Sequence, residues 1–333
     1  MRAARRVIAR LSLSRRIPPD ALCRQNDTSV RLVGLCSGAA AHELFLAHWY
    51  SDRPNQTSVS LFGLCGGSAA HSAVRALDVP TGRLNARDAY TPPNGELVSE
   101  VAYSAESDSL FVATYRIDKS GDIDEPGVIV RSFARLTDGQ WSECHRMQLA
   151  REGNNRSICL RVLRDGTLLC SQWGTDGIHV CRAHSDRSLQ PCARVTLPAT
   201  HEGFDAQLAG NEKRLAAALS DGSVALFRVD NGARLRWWLF LERTALVQLS
   251  RVMLAGARRA LFCGDSLLVG VATGGEVREA VSFTTTDGRL QHDRQLIPRD
   301  DRLDVWSWCF VEINRTLFAW DYISKELLDF NAA

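Results

Sequence analysis

The sequence predicts an all-β fold: a β-propeller of six four-stranded blades, closed by a strand from the start of the chain. Three observations carry this. Short alternating strands with nearby turn signals run along almost the whole length. One hairpin pattern recurs at close to the interval of a propeller blade. The last blade is one strand short, and the chain start supplies a strand of matching character. A count of seven blades follows instead if the stretch from Cys36 to His71 holds further strands.

The strands are rich in Val, Leu, Phe and Tyr. Thr28 to Cys36, Glu43 to Tyr50, Ser109 to Ile117, Gly127 to Arg135, Ser157 to Leu163 and Thr167 to Trp173 are examples. Leu246 to Arg259 is the best helical candidate, and it lacks caps at both ends. Many short strands with regular turns indicate a sandwich, barrel or propeller.

Spacing selects the propeller. The recurring hairpin is an apolar strand, a turn with Gly or Asp, then a strand of mixed character. Its turns fall at Gly82, Gly139, Asp186, Gly232 and Gly288, at intervals of 57, 47, 46 and 56 residues. A four-stranded blade takes roughly 40 to 50 residues. The two long intervals need inserts, and Asp118 to Pro126 and the stretch near Leu246 to Arg259 are the candidates. Largely apolar inner strands lie between the hairpins: ELFLAHWY, SLFVATYRI, TLLCSQW, RLAAALS, LLVGVA and TLFAWDY. They number one more than the hairpins.

After Thr316 to Tyr322 only one further strand remains, Glu326 to Phe330, so the sixth blade lacks its outer strand. RVIARLSLS, from Arg6 to Ser14, resembles the outer strands CHRMQLA, CARVTLP and LRWWLFLE. Supplying it to the last blade removes an open sheet edge. The expected organisation is one domain over 1–333. Its blades run over 28–91, 95–150, 155–198, 201–242, 245–298 and 301–333, the last completed by 5–14.

Composition bounds the partners. With 45% hydrophobic and 23% charged residues the chain is globular. Forty Lys+Arg against 38 Asp+Glu leave a net charge of +2, which gives no electrostatic case for nucleic acid or an anionic membrane. No run approaches the ~20 apolar residues of a spanning helix. The first sixteen residues hold six arginines and no acid, a composition that also suits a mitochondrial presequence. The strand reading is preferred, so a cytoplasmic location is expected and a mitochondrial one is the alternative.

The ten cysteines form no CxxC pair. Cys159, Cys170, Cys181 and Cys192 sit eleven apart, which places one on each of four successive strands. In a reducing compartment they stay thiols.

FAWDYISKELL at Phe318 to Leu328 carries a Trp320-Asp321 pair, and WGTDG at Trp173 to Gly177 echoes it. With these residues the chain resembles β-propellers of the broad WD40-like superfamily. The Gly-His pair that opens such repeats is missing from every blade. Six-bladed propellers also include calcium-dependent lactonases, which resemble this chain in fold. That likeness implies a channel site at Glu96, Asn155, Asp205 and Asp304, where a hard cation would need about six oxygen ligands.

No G-x-S-x-G elbow, P-loop, HExxH or GxGxxG occurs, and no two of the eight histidines lie within four residues. No catalytic residue and no cofactor is expected. The remaining signal is aromatic. Inner strands end in Trp49 and Tyr50, in Tyr115 and Arg116, in Trp173, and in Trp320 and Asp321. Trp, Tyr and Arg are enriched at binding hot spots. The same aromatics would serve packing between blades. As a set they suggest one propeller face that binds a protein or peptide; the alternative is the metal-dependent channel hydrolase.

Overall fold

The computed structural model describes residues 11–17, 29–37, 43–51, 70–78, 83–93, 96–117, 123–149, 158–183, 188–209, 212–231, 244–263, 266–273, 276–285, 288–297, 310–313, 316–321 and 326–332. The described secondary structure is almost entirely strand. The first strand is β1 (Leu11–Ile17). A first sheet follows from β2 (Ser29–Ser37), β3 (Glu43–Ser51), β4 (Ala70–Asp78) and β5 (Arg83–Tyr90). The second holds β6 (Glu96–Ser104), β7 (Ser109–Ile117), β8 (Ile123–Arg135) and β9 (Trp141–Leu149). The third holds β10 (Ile158–Val162), β11 (Thr167–Gln172), β12 (Gly177–Ala183) and β13 (Leu189–Thr196).

The fourth sheet is β14 (His201–Ala209), β15 (Glu212–Leu219), β16 (Ser223–Asn231) and β17 (Thr244–Met253). The fifth is β18 (Ala257–Cys263), β19 (Ser266–Thr273), β20 (Glu276–Thr284) and β21 (Gln291–Ile297). The last joins β22 (Phe310–Ile313), β23 (Thr316–Asp321) and β24 (Glu326–Ala332) to β1. Each sheet is a four-stranded antiparallel meander with strands in sequence order, apart from the last, which β1 completes.

The sheets are linked through their first strands. β2 contacts β6, β6 contacts β10, β10 contacts β14, β14 contacts β18, β18 contacts β22, and β22 contacts β2. That cycle of contacts is a β-propeller. Between neighbouring sheets lie apolar layers. Phe45, Val74, Val98 and Phe133 pack the first sheet on the second. Leu97, Phe111, Leu160 and Cys181 pack the second on the third. Ile178, Phe204, Leu215 and Phe227 fill the next interface, and Leu226, Phe262, Val269 and Phe283 the one after. Strands buried on both faces read as continuous apolar runs, which is why the second strands stood out in the sequence.

Closure by the N-terminal strand holds. β1 pairs antiparallel with β24, with Leu13 opposite Phe330 and Ile17 opposite Leu327. The expected strand ran from Arg6 to Ser14. The observed one runs three residues further along, because its register is set by β24; residues 1–10 lie outside the described residues.

The helical candidate is overturned. Leu246 to Met253 is part of β17, and β18 has begun by Ala257. The alternation there is broken because Val247 and Met253 point apolar side chains to solvent, at 38% and 70% exposure. The outer strand of the fourth sheet is thus Thr244–Met253, where LRWWLFLE at 235–242 was expected. Those eight residues lie outside the described residues. The insert placed at Asp118 to Pro126 is partly strand, since Ile123 already pairs with Ile117. Among the expected hairpin turns, Gly139 and Gly288 fall within the described residues, between third and fourth strands. Gly139 has φ +80°, a conformation that favours glycine.

The eleven-residue cysteine spacing is one cysteine per strand. Cys159, Cys170, Cys181 and Cys192 lie on β10, β11, β12 and β13.

Candidate functional site

First strands carry a recurring irregularity. A bulge interrupts the pairing between Leu32 and Gly34, between Val98 and Glu100, between His201 and Gly203, and between Ala257 and Arg259. The residue after each bulge faces a small residue on the second strand: Ala47, Ala113, Ala218 and Gly270. A bulge bends the strand and re-aims its side chains. Here it sets Glu100 and Arg259 at corresponding places on β6 and β18.

These two residues meet. Arg259 Nη2 donates to Glu100 Oε2 at 2.8 Å. Arg161 of β10 stands beside the pair, with Nη1 3.9 Å from the same carboxylate oxygen. Its Nε lies 2.9 Å from Asp205 Oδ1 on β14. Two acids and two arginines, one from each of four first strands, thus form a charge-balanced chain. β6 and β18 are three places apart in the cycle of first strands, so the Arg259–Glu100 bond spans the central channel. Gly203 makes room for it. A Cβ there would sit 2.9 Å from the Arg258 carbonyl oxygen and 3.2 Å from Arg259 Cγ.

Both carboxylates are buried. Burial pushes the pKa of the Glu100 carboxyl up, and Arg259 and Arg161 pull it back in part. Burial does the same to Asp205, against Arg161 and the backbone amide of Phe262.

Side chains of the first strands also protect their neighbours' unpaired edges. Ser99 Oγ accepts from the Ile158 amide at 3.0 Å. Asp205 Oδ2 accepts from the Phe262 amide at 2.7 Å. Each donor belongs to the next first strand, so exposed ladder groups are satisfied by the neighbouring blade.

A second buried cluster lies within the second sheet. Arg131 on β8 is 2% exposed. Its Nη2 lies 2.8 Å from Glu96 Oε2 and its Nε 3.3 Å from Glu143 Oε2. It also donates to Thr114 Oγ1, and Thr114 in turn donates to Glu96 Oε2 at 3.1 Å. The cluster ties all four strands of one sheet together. The Arg131 guanidinium lies 5.9 Å from the centre of the Tyr90 ring.

Between the third and fourth sheets, His201 Nε2 and Ser171 Oγ are 2.7 Å apart. The Ser171 hydroxyl is also within bonding distance of the Gly177 carbonyl. His201 is fully buried, and burial lowers its pKa to about 4. This is a staple rather than a reactive pair, because both side chains are closed to solvent.

The residues expected to bind a partner divide. Tyr115 has no exposed surface; it lies in the layer between the second and third sheets, with Leu97 and Leu160. Packing accounts for it, and it has nothing to offer a partner. Arg116 is exposed and pairs with Glu96 at 3.3 Å. Trp173 is half-buried in the turn after β11. Arg116 lies near the end of the second strand β7 and Trp173 just after the second strand β11, so they share one face. Trp49 and Tyr50 are on β3, opposite Arg31 and Val30. Trp320 and Asp321 end β23, opposite Leu327 and Glu326.

The residues of the alternative metal reading do not come together in the described part. Glu96 is committed to Arg131 and Thr114, and Asp205 to Arg161 and the Phe262 amide. Asn155 and Asp304 lie outside the described residues. Among the described residues no three His, Cys, Asp or Glu side chains are grouped as metal ligands.

Sequence reasoning missed Glu100, Arg161, Arg259 and Arg131. Its available signal was a lone charge inside an otherwise apolar run, as in LVSEVAYS, ICLRV and VIVRSFA.

No family model matches the chain, and no curated protein does. Solved structures do. The Pseudomonas aeruginosa periplasmic gluconolactonase PpgL is similar with a TM-score of 0.57 at 17% identity, over 89% of this chain and 79% of that one. A chain of a mitotic checkpoint complex is similar with a TM-score of 0.52 at 12% identity, over 100% of this chain and 98% of that one. U3-55K is similar with a TM-score of 0.52 at 11% identity, over 97% of this chain and 98% of that one. At these identities the likeness shows the fold alone, a β-propeller.

Proposed function

We propose that this propeller is a non-catalytic interaction scaffold that binds a protein or peptide on the face where second strands end. The carrying observation is the Arg259–Glu100 bond. It places paired charges across the channel, where a channel enzyme would need free ligands or a general base. The outer faces are left as the working surface. Trp173 and Arg116 sit on one of them, at the ends of neighbouring second strands. A rigid surface of this kind binds with little ordering cost. Fold-level likeness to a chain of a mitotic checkpoint complex is in keeping with protein partners.

The test is affinity purification with mass spectrometry, using the wild-type chain and a Trp49→Ala/Trp173→Ala/Trp320→Ala variant. A partner retained by the wild type and lost by a folded variant supports the reading. A partner that binds both equally removes the face assignment. A calcium-dependent rise in melting temperature, lost in Asp205→Ala, would favour the channel hydrolase instead.

A further inference from the structure

Cys181 and Cys192 occupy a place that the scaffold reading does not use. β12 and β13 pair with Val180 opposite Ala193 and Cys181 opposite Pro191, so Cys192 is the extra residue of a bulge. Packing fixes the faces. Val180 and Ala193 both pack toward the fourth sheet. Cys181 and Leu189 both pack toward the second. Alternation on either side of the bulge therefore puts Cys192 on the same face as Cys181. In a bulge two residues of one strand oppose one of the other, so Cys181 stands opposite both Pro191 and Cys192. A disulfide needs Cα atoms about 4.4–6.8 Å apart, the spacing of cross-strand neighbours.

The two thiols differ in access. Cys192 is exposed, and its Sγ lies 3.4 Å from the Gln190 carbonyl oxygen. Cys181 is buried, with its Sγ 3.7 Å from Met147 Sδ. The thiol of Cys181 is pushed up to about 12, by burial first and by Cys192 second. Its neighbour thus sits close enough to act on it. Neither Cys159 nor Cys170 is opposite another cysteine in the ladder.

We propose that Cys181 and Cys192 are a redox modification site, closing to a reversible disulfide when the chain meets a hydroperoxide. The Cys192 thiolate attacks the peroxide O–O bond, which breaks. Cys192 becomes a sulfenic acid and the peroxide leaves as an alcohol, or as water from hydrogen peroxide. The Cys181 thiolate then attacks Cys192 Sγ and forms the S–S bond. The S–OH bond breaks, and the departing hydroxide takes up a proton from solvent, matching the one Cys181 released on ionising, to become water. Two thiols have lost two electrons and the peroxide has gained them. The second step is slow at neutral pH, because little of Cys181 is thiolate.

The experiment treats the full reduced chain with hydrogen peroxide, blocks free thiols by alkylation, and maps tryptic peptides without reduction. The expected product joins 165–182 to 188–194, at least tenfold above the level in Cys192→Ser, and dithiothreitol reverses it. Cys170 shares the first peptide, so Cys170→Ser should keep the product. Cys181→Ser should lose it, and if that buried change fails to fold, Cys192→Ser and Cys144→Ser decide. The rate should rise about tenfold per pH unit between 7 and 9. A link from Cys192 to Cys144, a link between two chains, or Cys192 oxidised beyond sulfenic acid with Cys181 still alkylated would each overturn the proposal.

Discussion

Arg259 of β18 and Glu100 of β6, 2.8 Å apart, connect first strands from opposite places in the ring. Neither residue is exposed enough to be a surface pair, since Glu100 is 2% and Arg259 18% exposed. Removing one partner of a buried pair strands the other, which costs about 3–5 kcal/mol. Arg259→Ala should fall at the low end, because Arg161 still stands near Glu100. Glu100→Leu/Arg259→Leu should recover most of the loss. Urea unfolding of the three chains checks this; a double variant as unstable as the single one would count against the pairing.

His201 makes stability depend on pH. Its pKa is about 4 in the fold, below the ordinary 6.5. Between those values the unfolded chain binds a proton that the folded chain does not, so stability rises with pH. The contribution is complete above pH 6.5, amounts to about 3 kcal/mol, and is lost as pH falls to 4. Glu100 and Asp205 act with opposite sign. Their pKa values are raised, so their contribution is present at low pH and lost as pH rises through the folded values. Melting temperatures of wild type and His201→Gln from pH 7 to 4 isolate the histidine. The two curves should converge as pH falls.

Arg131 is the hub of the second sheet. Arg131→Met leaves Glu96 buried, with half-exposed Arg116 as its remaining cation. The expected loss is about 3–5 kcal/mol. Adding Glu96→Gln removes the stranded charge and should return part of it. Denaturation midpoints at constant slope are the readout.

Deleting the chain through Ile17 removes β1 and bares the edge of β24. An open edge recruits other strands. The truncated chain should melt earlier and associate, as light scattering and sedimentation would register. An unchanged melting curve would mean that β1 adds nothing to closure.

Much of the architecture was legible because both signals are local. LFVATY and TLLCSQ lie in second strands and are buried on both faces, and their apolar run needs no partner to be recognised. Gly139 marks its own turn. The helical reading of Leu246 to Arg259 failed because an outer strand has one open face, where Val247 and Met253 spoil the alternation. The channel network was not legible for a different reason. Glu100 and Arg259 are 159 residues apart, and nothing local ties a lone charge to its partner. Tyr115 shows the converse: a residue type common at interfaces is equally useful in a core.

The pairing of β1 with β24 has a consequence for synthesis. The earliest described strand to leave the ribosome has its hydrogen-bonding partner in the last. Every other sheet can form once its own four neighbours have emerged, in sequence order. β1 must wait unpaired until β24 (Glu326–Ala332) has been translated. Contacts so distant along the chain form slowly, and a strand kept waiting is open to mistaken pairing. Its serines and its two arginines, in LSLSRRI, keep that wait soluble.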